Sequence, residues 1–146
     1  MKTGILFSAV VIFLSLNACK HRKESVQSDV PKVPCSIIVE TFAEYQNSAS
    51  TTINSVSIEK NIMSISVSYS GGCEKHEFEL VGSKLIQKSL PPKRGIMLYH
   101  KNNGDSCREL VEEILKFDIT NLAYENREII LLLEGYETPI SYTPVQ

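Results

Sequence analysis

What the sequence lacks narrows its role before any motif is read. It has no charge excess: 15 Lys and Arg stand against 17 Asp and Glu, a net of −2 at pH 7. A basic stripe, the electrostatic signature of a nucleic-acid binder, is therefore missing, and no nucleic acid is expected among the partners. There is no Gly-rich phosphate loop, no Gly-x-Ser-x-Gly elbow, no His-Glu-x-x-His pair and no calcium loop of alternating carboxylates. The familiar signatures of nucleotide binding, serine hydrolysis, zinc proteolysis and calcium capture are excluded with them. No internal repeat is visible. A chain of 146 residues holds one modest domain plus targeting ends, not a multidomain enzyme. The expectation is a non-enzymatic protein without a cofactor.

Long hydrophobic runs are equally scarce. The one that exists, Ile5 to Leu16, follows the short charged start Met1-Lys2-Thr3-Gly4. A dozen helical residues span about 18 Å against a hydrocarbon core of ~30 Å, so a cleaved signal peptide fits better than a membrane span. The run ends in Leu16-Asn17-Ala18-Cys19, which resembles the lipobox of bacterial lipoproteins; only Asn17 departs from the usual Ser, Ala or Thr. The resemblance implies cleavage before Cys19, a diacylglycerol thioether on that cysteine and a further acyl chain such as palmitate on its amine. Two or three chains anchor stably where one is marginal. Acylated Cys19 would then be the contact with membrane lipid. In that family Lys20, rather than Asp, after the cysteine implies the cell envelope at the outer membrane, facing the periplasm. The alternatives are an ordinary signal peptide with a coincidental cysteine and a retained transmembrane anchor.

Three regions follow: residues 1–18 as signal peptide, 19–34 as lipidated cysteine and flexible tether, and 35–146 as a globular domain. Lys20, His21, Arg22 and Lys23 would lie beside the lipid, pairing with anionic head groups or serving as a solvated leader. The tether has no periodic apolar pattern and cannot offset its ordering entropy; Pro31 and Pro34 stiffen it.

The domain is expected to be mainly β. Met63, Ile65, Val67 and Tyr69 alternate with serines, a period of two that lays apolar side chains on one face. Val56 and Ile58 alternate likewise, and Glu59-Lys60-Asn61 between the two runs predicts a hairpin. Ser36 to Phe42, His76 to Val81, Ile96 to His100, Glu128 to Glu134 and Ile140 to Thr143 are further strand candidates. Gly71-Gly72, Gly82-Ser83, Pro91-Pro92 and Asn103-Gly104 read as turns. Residues 110–119 fit helical spacing or a strand; β-branched and aromatic residues at the end favour a strand over Ile114 to Ile119. The sum is a single antiparallel β-sandwich or barrel-like domain.

With Cys19 lipidated, Cys35, Cys73 and Cys107 remain. An exported chain meets an oxidising compartment, where a disulfide is the default. Cys73 and Cys107 each follow a glycine turn, which favours their pairing and leaves Cys35 buried or as the true partner of one of them. Cys73, His76, His100 and Cys107 would alternatively make a tetrahedral metal set, though His-x6-Cys lies outside the usual short spacings. A thiol nucleophile, Cys73 or Cys35 with His76 or His100 as base, is a further alternative, either hydrolytic or redox. Glu112 and Glu113 read as a solvated face, and Asn102 to Asp105 as a turn rather than a cation loop.

The segment Gly71-Gly72-Cys73-x-x-His76-x-Phe78-x-Leu80, with Gly104-Asp105-x-Cys107 and Leu115-x-Phe117-Asp118-Ile119, resembles small uncharacterised bacterial lipoproteins. That resemblance implies a β-rich domain and the Cys73–Cys107 pairing, and brings no established activity. The protein thus reads as a lipid-anchored envelope protein whose β-domain binds or spaces an envelope protein or other envelope component.

Overall fold

The computed structural model describes residues 33–145; the expectations for the signal peptide, Cys19 and the tether before Val33 lie outside the described residues. Among the described residues eight strands form two packed sheets: β1 (Ile37–Val39), β2 (Thr52–Glu59), β3 (Ile62–Gly71), β4 (Glu77–Gln87), β5 (Lys93–Lys101), β6 (Glu109–Asp118), β7 (Ile129–Leu133) and β8 (Ile140–Tyr142). One sheet has the order β1-β4-β5-β7-β8 and the other β2-β3-β6. The β-sandwich expected from the alternation is the fold observed. Among the described residues no helix is long and apolar enough to cross a membrane.

Period-two alternation decides which side chains meet. On β3, Met63, Ile65 and Val67 are fully buried while the serines between them face outward. They pack against Leu115 and Phe117 of β6 and, across the sandwich, Leu80, Ile96, Leu98 and Leu131. Each such burial contributes about 1.5–3 kcal/mol. The β2–β3 hairpin turns at Lys60, whose φ of 56° suits a tight connection. Residues 109–118 are a strand along their whole length, so the helical spacing there is coincidental; Leu110 and Ile114, which created it, point outward and are exposed.

Four details differ from the sequence reading. β1 runs parallel to β4, and β5 parallel to β7, because the chain leaves the larger sheet to build β6 before returning as β7. Alternation carries no information on strand direction. Gly82-Ser83 is no turn: β4 continues to Gln87 through an irregular register between Gly82 and Ile86. Gly82 serves close packing, since a Cβ there would meet Leu122 Cδ2 at 2.4 Å. The first strand is only Ile37–Val39, ending short of the expected Phe42, and a 3₁₀ turn follows at Ala43–Tyr45. Cys35 is neither buried nor paired; it sits exposed in an isolated bridge to Asp118 at the rim of the smaller sheet.

Candidate functional site

The four residues singled out by type converge at one end of the sandwich. Cys73 follows β3 and Cys107 precedes β6; they are joined as a disulfide, with Cα atoms 5.9 Å apart. The alternation of β5 that buries Ile96 and Leu98 also carries His100 into the core, where it is 1% exposed. Its register partner on β4 is Phe78, and the two rings stack at 4.3 Å with planes 16° apart. His76 lies between the disulfide loop and β4, its ring stacked on Tyr69 at 4.6 Å. Gly71 makes that position available, because a Cβ there would come within 2.6 Å of His76 Nε2.

The polar atoms form one chain. His76 Nδ1 lies 2.7 Å from His100 Nε2, and His100 Nδ1 lies 2.7 Å from Thr51 Oγ1. At the outer end His76 Nε2 meets Asp105 Oδ2 at 3.2 Å. The side chains of His76 and Asp105 are 2% and 0% exposed. A single direction satisfies all of it: the Thr51 hydroxyl donates to His100 Nδ1, His100 Nε2–H donates to His76 Nδ1, and His76 Nε2–H donates to the Asp105 carboxylate. Two N–H groups cannot face each other at 2.7 Å, so the histidine pair accepts at most one extra proton without breaking.

Asp105 is the hub. Its Oδ2 accepts the backbone N–H groups of Cys73 and Glu74, each at 2.9 Å, and its Oδ1 that of Cys107 at 2.8 Å. The N–H of Glu74 and then of Cys107 hold its carboxyl far below the usual carboxylate range, with Cys73 and His76 adding to them. One ionised carboxylate thereby ties both disulfide arms to the buried histidines. Burial, and then the neighbouring His76, lowers the pKa of His100, which favours the neutral tautomer drawn above. The Asn103-Gly104 turn, at φ of 52° and 79°, presents Asp105; its oxygens are spent on N–H groups.

Sequence reasoning named the histidines and cysteines but missed Asp105 as the hub, and Thr51, Tyr69 and Phe78. For Asp105 a signal existed: a short acid two residues before a cysteine at a glycine turn is placed to accept the following N–H groups. Glu112 and Glu113 are both exposed, as read from the sequence. Glu113, opposite Val67, has in addition a partner the sequence did not show: it accepts the Tyr69 hydroxyl at 3.0 Å.

The architecture is that of a two-sheet β-domain whose polar centre is internal. Among solved structures the chain is similar to a NigD-like immunity protein from Bacteroides caccae, with a TM-score of 0.57, 15% identity, and 77% of this chain covering 64% of that one. It is also similar to a protein of unknown function from Bacteroides vulgatus, with a TM-score of 0.52, 18% identity, and 78% of this chain covering 58% of that one. The chain spans about three-fifths of each neighbour's length, and these likenesses show the fold. No protein-family model and no curated protein matches the sequence.

Proposed function

We propose that the protein is a lipid-anchored lipoprotein of the cell envelope, held through acylated Cys19 and facing the periplasm from the outer membrane. Its β-sandwich acts as a non-enzymatic binding domain. The observation that carries the binding half is the closure of the polar cluster: the ring nitrogens of His76 and His100 and both oxygens of Asp105 are committed to one another, to the Thr51 hydroxyl or to backbone. A base or nucleophile needs an atom free to reach substrate. Cys73 and Cys107, the two sulfurs of the metal reading, are bonded to each other; the thiol reading keeps only the free, exposed Cys35, and both histidines it would need as base are already engaged. The lipobox supports the anchoring half. The NigD-like neighbour is named for immunity, and that name directs the first partner search to proteins.

Metabolic acyl labelling tests the anchor: the wild-type chain should carry label at the membrane, and Cys19→Ala should abolish it. Unchanged labelling in that variant would overturn the anchoring. Substrate turnover lost in Cys73→Ser or His76→Ala would overturn the binding role.

A further inference from the structure

The four sheet edges are protected unequally. β1 and β8 have three residues each, and β2 is broken by a register shift between Ile53 and Ser55. β6 instead pairs with β3 in unbroken register from Glu109 to Asp118, and its other side has no strand among the described residues. An edge that long and flat is a template for another strand, and it lacks the proline or run of lysines that usually blunts one. The strand diagonally across the opening is open as well, since β1 meets β4 only from Val81 to Ser83 and no strand among the described residues pairs with Glu77 to Leu80 on that side.

These two edges border one seam, with a cleft of about 380 Å³ between His76 to Phe78 and Glu113 to Phe117. The disulfide closes one end. At the other, Ser36 N donates to Asp118 O at 2.8 Å and Asp118 N to Pro34 O at 2.9 Å, so the chain itself already pairs with the last residue of β6. Between these stops a strand of ordinary length, ~5–6 residues, fits. The charge along β6 itself is one-sided, Glu109, Glu112, Glu113 and Asp118 against Lys116, whereas across the cleft Glu77 is paired with Lys101 at 3.5 Å and lies beside Lys75. Leu110 and Ile114 stand on the outer face of β6, 71% and 66% exposed.

We propose that this seam receives an extended, basic segment of a partner protein, added as a new strand along β6. Backbone groups of alternate β6 residues supply the hydrogen bonds, the glutamates select lysine or arginine, and Leu110 and Ile114 meet apolar side chains of the incoming strand. This assignment rests on the binding role proposed above and gives it a surface and a partner chemistry.

The test uses the full chain extracted from membranes in mild detergent and a fluorescent peptide of about ten residues alternating Lys and Val. Anisotropy should show saturable binding. N-methylation of alternate peptide amides, replacement of Lys by Glu, and Glu112→Lys in the protein should each weaken it by about tenfold or more. No binding, or binding indifferent to N-methylation, would overturn the proposal. So would a concentration-dependent dimer abolished by Leu110→Lys, because a second copy would then own the edge. A photoreactive residue at Ile114 or at exposed Leu85, used in cells, separates the two levels of the claim. Adducts at Ile114 whose partner peptide is extended and basic support the seam; adducts at Leu85 alone leave a binding domain with another surface; adducts at neither remove both.

Discussion

The core face of β5 carries a polar side chain at each end, Arg94 and His100, roughly 20 Å apart along the strand. Both are buried, at 6% and 1% exposure. His100 has a partner for each ring nitrogen, aromatic cover from Phe78 and Tyr69, and an ionised carboxylate one residue further along the chain of bonds. Arg94 has only backbone: Ser83 O at 2.6 Å and Ala123 O at 3.5 Å, with Nε unpartnered. Burial lowers the pKa of both, but only the imidazole can answer by becoming neutral near ordinary pH. A titratable group under complete hydrogen bonding makes a cooperative cluster; a permanent charge on two carbonyls makes a tolerated burden.

The comparison sharpens under perturbation. The largest effect should come from the clasp that holds the histidine end. Cys73 and Cys107 are 34 residues apart in sequence, and replacing both with Ser should lower stability by about 4 kcal/mol on the chain-entropy account. Equilibrium denaturation reads this directly, and a loss below about 1 kcal/mol would mean that the Asp105 hub alone secures the loop. His100→Ala should cost about 3 kcal/mol, since it empties a stacked position and strands the polar atoms of His76 and Thr51. A cost no larger than that of Arg94→Met would erase the contrast between the two ends. Gly82→Ala, beside Arg94, should cost about 2 kcal/mol through the clash with Leu122, seen as a lowered denaturation midpoint.

Acid provides a separate test of the histidine end. The folded pKa of His100 lies below its ordinary 6.5, so the unfolded chain binds more protons; its contribution is complete above about 6.5 and is lost as pH falls toward the folded value. Asp105 has the same sign, with its contribution complete above 3.8 and lost further into acid. Stability measured from pH 7 downward should therefore decline in two stages, and His100→Gln should flatten the first. A wild-type profile level between pH 7 and 5 would contradict a buried, neutral His100. The smallest effect belongs to Arg94→Met, which should change stability by no more than about 1 kcal/mol, in either direction. A loss near 3 kcal/mol in thermal or urea unfolding would show the guanidinium to be an anchor.

Much of the larger frame was legible. The alternation in Met63 to Tyr69 located β3 and its core face; Ile96 to His100 was legible as a strand, while the burial of His100 on its core face was not. The hairpin at Lys60 and the turn at Asn103-Gly104 followed from local chemistry. The site was legible only as residue types. Nothing in the spacing of His76 and His100 put their nitrogens 2.7 Å apart; that distance depends on β4 and β5 pairing so that Phe78 faces His100. The same gap hid the partner of Glu113, because an acid two positions from Leu115 on an alternating strand looks like a break in the pattern until the Tyr69 hydroxyl is in place beside it.

The sequence by itself determined what local rules govern: a mainly β domain, the apolar face of β3, and where several stretches of residues turn. Strand direction, the order of strands in two sheets, the exposed position of Cys35 and the closed Thr51–His100–His76–Asp105 network were decided only by the tertiary structure. The physical reason is range. Side-chain alternation and turn propensity act over a few residues, whereas register between distant strands is set by the joint packing of the whole core, and a hydrogen bond between residues 24 positions apart exists only after that packing is chosen.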